Sequence, residues 1–421
     1  MNTARKVGVI LWIVVALVLV GAMVAGIVIG PQFLTNRVVF YSGSGLNDEN
    51  TEILGEYSVA TKDVEKVDLN WKSGLIRIGT HSGDDIKLIE RVLKNSKEYN
   101  KMTYEVEAGV LNIDGNMESK WSFFNFGPNT EQKIIDLKLP QDKPELLKDM
   151  IINAESADIN ADSLSVENLQ AELSSGNVKV EKSKINSCNI SVTSGNITVD
   201  EVEAYSGKEI LLIKTKSTSG DVKVYGCEAK TVDVESTSGN STCKKVTAVD
   251  SIQVRSTSGN IDVSDCNTEN LGLSVTSGNI NTKSVVANQA KANLSSGDIE
   301  LNIDAEKIEC HATSGNIIVN GNIYNADMKA SSGSILVNSY VDLKEANFSI
   351  VSGDMSLFMP LKDKNGFTAN YDTVSGELDS DLEFTSSTKN DSTYVYGNGK
   401  YSYSFKSTSG DLKINSNDIM E

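Results

Sequence analysis

Proline is missing from the long middle of this chain: the 421 residues hold five, and none falls between Glu145 and Met359. A continuous stack of hydrogen-bonded strands demands this, because each proline removes a ladder donor. Histidine is almost absent, with His81 and His311 the two examples. No Cys/His cluster at metal spacing, nucleophile elbow, phosphate loop or dinucleotide fingerprint occurs, which argues against catalysis and against any cofactor. No segment of helical period interrupts the middle of the chain, so an alternating helix-and-strand fold is excluded as well.

Positive charge is in deficit. Arg5 and Lys6 precede the one long uncharged run, and all 57 acidic residues follow it, so the rest of the chain carries a net charge near −20. Such a surface is soluble and argues against nucleic acid or anionic lipid as an electrostatic partner. Cationic peptides and metal-bridged anionic polymers remain compatible with it. Of the five cysteines, Cys188 and Cys310 replace Ile or Val before a glycine, Cys243 replaces a valine after one, and Cys227 and Cys266 share a later position. Residues in the roles of small hydrophobes are expected to be buried free thiols.

What is there is a repeat. A Ser-Gly pair recurs with its glycine at Gly176, Gly195, Gly220, Gly239, Gly259, Gly278, Gly297, Gly315, Gly333, Gly353, Gly376 and Gly410, and Gly74 heralds it. From Gly220 to Gly353 the steps are 19, 20, 19, 19, 18, 18 and 20 residues. A fixed period of this kind marks stacked units. Side chains alternate on both sides of the glycine: Cys188, Ile190 and Val192 before Gly195, Ile197 and Val199 after it. Each unit therefore reads as strand, tight turn, strand, followed by a short third segment such as Val202 and Ala204. Glycine suits the turn, and the Asn or Asp after it is expected to bond its own neighbouring backbone.

A unit of about 19 residues cannot bury its inward face alone, but parallel stacking at about 4.8 Å makes one continuous core. The expected fold is all-β, a parallel β-helix or β-solenoid of about 19-residue coils, preceded by a transmembrane helix. Residues 7–30 are uncharged and long enough to span a bilayer. The two preceding cations place residues 1–6 in the cytoplasm and the C-terminal domain outside, as a single-pass cell-membrane protein. The alternative is a cleaved signal peptide ending near Ala25 or Gly26.

Residues 31–64 read as a linker, with flexible Tyr41 to Gly45 and acidic Asp48, Glu49, Glu52 and Glu56. Residues 65–149 read as a first coil (Val67, Leu69, Trp71, Gly74, Ile76, Ile78) and an N-terminal cap, including a hairpin from Tyr104 to Asp114 and the aromatics Trp121 to Phe126. Residues 150–417 form the repeat domain, with Ala157 in a glycine position and a second hairpin expected over Tyr394 to Tyr403.

One outward column is uniform. Two residues before the glycine stand Ser174, Thr193, Thr218, Thr237, Thr257, Thr276, Ser295, Thr313 and Ser331. This hydroxyl ladder is a candidate binding surface for a regular partner, or a set of β-branched residues bonding along the stack. Parallel β-helices include polysaccharide-cleaving enzymes, so acids after the glycine (Asp221, Asp298, Asp354, Glu377, Asp411) need a test. They stand as scattered single acids and suit turn chemistry better than acid/base pairing.

The lead coil Val67 to Ile78, the strand Ile134-Ile-Asp-Leu-Lys-Leu-Pro140 and the train of Ser-Gly-Asn/Asp-Ile-x-Val coils resemble a bacterial adhesin-like family of unknown function, built of β-strand repeats and related to auto-transporter adhesin heads. The resemblance covers about residues 60 to 417 and rests on the many-fold repetition. It implies a β-helical extracellular module, often membrane-anchored, associated in Gram-positive relatives with envelope-stress operons and without established catalytic residues. The expected function is thus an adhesin-like binding or structural module of the cell envelope. Its expected partners are the membrane through the anchor and a cell-wall polymer, a cationic peptide or another envelope protein. The alternatives are an accessory sensor or effector of envelope stress and, in a different class, a cell-wall polysaccharide enzyme.

Overall fold

The computed structural model describes residues 46–94, 99–117, 119–120, 129–130, 132–205, 210–362, 365–388 and 392–416. The predicted span over residues 7–30 and the aromatics Trp121 to Phe126 lie outside them. Among the described residues no helix is long and apolar enough to cross a membrane.

The alternation of inward and outward side chains builds stacked parallel coils. Lys184–Ser194 pairs in parallel with Ser165–Ser175 on one side and Ile210–Ser219 on the other. After the glycine turn, Ile197–Asp200 pairs likewise with Val178–Glu181 and Val222–Tyr225. A short third face follows, where Glu228 and Ala229 meet Thr247 and Ala248 of the next coil. Cys188, Ile190, Val192, Ile197 and Val199 are all buried, in one core that runs the length of the stack. All five cysteines are buried and free.

Two turn columns set the coil length. The glycine turn has φ of 146° at Gly195 and 143° at Gly259, where L side chains are strained. It is also crowded, because a Cβ on Gly195 would collide with the carbonyl oxygen of Gly176 one coil below. Six residues after the glycine a second corner adopts left-handed geometry, at Lys182, Glu201, Lys245, Asp265 and Ser284. The 18-residue steps omit this corner residue: Thr282 pairs with Leu301 but Val285 pairs with Ile303, one position closer. The 20-residue step between Gly239 and Gly259 adds one residue at Val249–Asp250, between the pairs Ala248 with Thr268 and Ser251 with Asn270.

Both ends depart from chain order. At the start, strands β1 (Thr51–Val59), β2 (Lys66–His81), β3 (Ile86–Leu93), β4 (Thr103–Glu107) and β5 (Val110–Asp114) precede the two-residue strands β6 (Ser119–Lys120) and β7 (Asn129–Thr130), then β8 (Lys133–Pro140) and β9 (Asp149–Asp162). Strands β5 and β8 stack on one side of β2, and β9 stacks on the other. The first coil in sequence is therefore the second in space. Antiparallel strands then close the edge: β4 covers β5, β3 covers β8, and β1 covers β3. These antiparallel pairings end the parallel template that would otherwise invite aggregation.

The expected linker through residue 64 is shorter than its composition suggests. Residues 51–59 are strand β1, since a strand pairs through its backbone while Glu52 and Glu56 stay exposed. Asp48 and Asp136 both bind Arg77. The hydrogen bond from Arg77 holds the Asp48 carboxyl below its usual range.

At the far end, Tyr401–Ser409 inserts between Glu345–Ser352 and Phe367–Ser375, parallel to both. The 34-residue step from Gly376 to Gly410 thus reflects a coil threaded back inside the last one. The hairpin expected over Tyr394 to Tyr403 is instead split: Thr393–Tyr396 pairs antiparallel with Phe367–Asn370 and with Ser386–Thr388, whereas Tyr401 to Tyr403 belong to the threaded coil. Shared aromatic composition concealed that break.

The N-terminal end also holds a buried ion pair. Lys133 pairs with Gly74 in the glycine column. Its wholly buried ammonium donates to Glu90 Oε1 at 2.8 Å, to the Gly115 carbonyl at 2.8 Å and to the Asn100 carbonyl. The Met102 amide donates to both Glu90 oxygens, at 3.0 and 3.1 Å. All three lysine protons thereby find acceptors, which a buried charge needs.

Candidate functional site: the outward faces

The Thr column lies where the alternation places it. Thr193, Thr218, Thr237, Thr257, Thr276 and Thr313 are all exposed, as are Ser174, Ser295 and Ser331. Beside it runs a second hydroxyl column directly before each glycine, exposed at Ser194, Ser219, Ser238, Ser258, Ser277, Ser296 and Ser314. Among the described residues the expected hydroxyl bonds along the stack are not made by the Thr side chains. Beside scattered inter-coil pairs such as Lys216 with Glu235 and Asn281 with Asp262, a continuous side-chain-to-backbone ladder between coils is formed instead by the residue after the glycine.

There the amide of Asn196 donates to Asn177 Oδ1 at 3.0 Å, that of Asp221 to Asn196 Oδ1 at 2.8 Å and that of Asn240 to Asp221 Oδ1 at 2.9 Å. The ladder continues through Asn260, Asn279, Asp298 and Asn316 to the amide of Ser334. These side chains bond the next coil rather than their own backbone, which corrects the expectation. Asn and Asp are interchangeable because each offers an Oδ1. The acids Asp221, Asp298, Asp354 and Asp411 are thereby occupied as structural acceptors for Asn240, Asn316, Asp411 and Glu377.

His81 is the last residue of β2, taking the Gly83 amide on Nδ1 at 3.0 Å with Nε2 2.7 Å from the Asp85 carbonyl. His311 is half-buried rather than fully outward, and burial lowers its pKa. Burial pushes the Cys188 thiol up to about 12 and the Cys227 thiol up to about 11. Unreactive thiols of this kind fit a packing role. Among the described residues no group of three or more His, Cys, Asp or Glu is placed to hold a metal ion.

Three surface grooves break the regular faces. One of about 450 Å³ lies between Lys72, Asn116, Glu155 and Glu172 near the cap. One of about 840 Å³ follows the third face past Val249, Val286, Glu269, Glu306 and Tyr324, where the extra residue of the 20-residue coil leaves Val249 56% exposed. The third, about 390 Å³, opens on the face before the glycine turn, around Gly272, Gln253, Arg255, Gln289 and Lys291. Sequence reading missed all three, although Gly272 was a visible signal as a glycine in an outward strand position.

The model of the family described as Toastrack DUF4097 matches residues 64–264 and 242–415. A search of the curated proteins gives no match. Among solved structures, a candidate cell adhesion protein from Clostridium sporogenes is 12% identical over 87% of this chain and 100% of its own, with a TM-score of 0.16. A candidate adhesin from Parabacteroides distasonis is 14% identical over 69% of this chain and 98% of its own, at 0.25. A candidate lipid-binding protein from the same organism is 16% identical over 72% and 98%, at 0.25. Neither the family nor these structures is described as an enzyme, and this chain carries no catalytic motif. The two family matches together run from the first coil to the last strand, and the chain belongs to the Toastrack DUF4097 family.

Proposed function

We propose that this protein is a single-pass, membrane-anchored module of the bacterial cell envelope. Residues 1–6 are cytoplasmic, residues 7–30 form the anchor, and the solenoid is extracellular, with an adhesin-like binding or structural role. The observation that supports a binding role is the division of labour among the polar columns. The Asn/Asp column bonds coil to coil, whereas the Thr column beside it makes no side-chain hydrogen bond among the described residues and faces solvent. Hydroxyls repeating at the coil spacing of about 4.8 Å suit a partner that is itself extended and regular, such as a cell-wall polymer.

The test is a pull-down of the detergent-solubilised full-length protein against purified cell-wall polymers, envelope lipids and cationic peptides, with and without calcium. Saturable binding to one class is expected. Absence of binding to any of them contradicts a recognition role for these faces.

A second reading, an envelope-stress sensor with a membrane-protein partner, draws support from the N-terminal cap. Strand β4 is exposed along its length and shows Tyr104 and Val106 to solvent, with Ile53 of β1 also exposed. Crosslinking in intact cells should then recover one membrane protein at these positions.

A further inference from the structure

Glycine at position 272 is not required by the fold. Of the described glycines between Met150 and Met359, every other one has positive φ, and those of the main turn column are also crowded by the carbonyl of the equivalent residue in the coil below. Gly272 lies inside the strand Asn267–Ser277 with ordinary extended backbone. A Cβ there would meet only the flexible amide end of Gln253, so the backbone leaves room for a side chain. Glycine inside a strand loses chain entropy without packing, and it often marks a place where something approaches closely.

Its absent side chain creates the groove of about 390 Å³. The column here runs Gln253, Gly272, Lys291, Glu309, so the dent is flanked along the stack by an amide and an ammonium. Gln253, Gln289 and Asn293 line it, with the Gln253 amide lying over Gly272, and none of the three makes a side-chain hydrogen bond among the described residues. Arg255, Lys291 and Lys307 bring three cations against one lining acid, Glu309, in a chain that is otherwise strongly acidic. Arg255 is held by Asp233 at 2.6 Å, and Lys307 and Lys291 share Glu309 at 2.6 and 3.5 Å. These bridges fix the cations while leaving a net positive wall.

We propose that the dent around Gly272 is a subsite for one unit of an anionic saccharide, an inference that rests on the envelope-binding reading above. Free amides offer paired donors and acceptors that match vicinal hydroxyls, and the Arg255 and Lys291 side chains match an acidic substituent. The exposed Thr257 and Thr276 lie on the same two coils, four residues further along each strand, so a chain held in the dent runs on to the hydroxyl ladder.

Titration calorimetry of the full-length protein in detergent with oligogalacturonate tests this, with maltohexaose as a neutral comparator and inorganic polyphosphate as one without hydroxyls. The expected result is saturable oligogalacturonate binding, at least about tenfold weaker for both comparators and for the Gly272→Gln and Lys291→Ala variants, with unchanged melting temperatures. Should Gly272→Gln melt lower, Lys291→Ala decides. Undiminished binding by the variants, or equal binding of polyphosphate, overturns the assignment. If the protein binds isolated envelopes saturably and the variants do so equally, the dent falls while the module reading stands. If it binds no envelope fraction, both fall.

Discussion

The backbone amide of Asn279 donates to Oδ1 of Asn260 at 2.9 Å, joining two coils through a side chain that stands immediately after the glycine turn. Asn260→Ala leaves that amide without its acceptor, and a loss of about 1 kcal/mol is expected in urea unfolding. Asn260→Asp keeps the acceptor and should be close to neutral. Equal losses for the two variants would show that the ladder does not support the stack.

Two glycines on neighbouring coils should respond in opposite ways to alanine. Gly259 has φ of 143° and its Cβ would strike the Gly239 carbonyl, so Gly259→Ala should cost about 3 kcal/mol or more. Gly272→Ala meets only a movable glutamine and should be neutral or stabilising by up to about 1 kcal/mol. Thermal melts of the two variants side by side check the distinction.

Inward and outward columns can be compared on one coil. Ile261 is wholly buried, and Ile261→Asp places a charge among the stacked side chains of both adjoining coils. A loss of about 4 kcal/mol or more, or local unfolding visible by hydrogen exchange, is expected. Thr257→Ala, exposed four residues earlier, should change stability by less than about 0.5 kcal/mol.

The buried thiols make a pH prediction. Burial raises the Cys188 thiol from 9.0 to about 12 and the Cys227 thiol from 9.0 to about 11. A raised folded pKa means that the stability from keeping these thiols protonated is complete below about pH 9 and is lost as the pH climbs through 11 to 12. Native protein at pH 8 should resist iodoacetamide at all five cysteines, and the urea-unfolded protein should label at all five. Rapid native labelling of Cys188 would contradict its place in the core.

Much of the coil was legible because the pattern repeats. Val67, Leu69, Trp71 and Ile76 in the first coil, and Met150, Ile152 and Ile159 in the next, occupy the buried columns their spacing predicts. The order of coils in space was not legible, since Lys133–Pro140 and Tyr401–Ser409 carry the same alternation whichever neighbour they join. The buried Lys133–Glu90 pair also left no local trace, because the two residues lie 43 positions apart and meet through the cap. The hydroxyl ladder was visible as a column, but only the neighbouring Asn/Asp bonds reveal that the stack does not rely on it.

The most direct test of the outward columns as a binding surface is a binding isotherm of the full-length protein on isolated cell envelopes. Wild type would be compared with a variant carrying Thr218→Glu, Thr237→Glu, Thr257→Glu and Thr276→Glu together. Saturable binding by wild type is expected, lost in the variant while its circular dichroism and melting temperature stay unchanged. Equal binding by a folded variant, or none by wild type, would contradict the claim that these outward columns are the working surface.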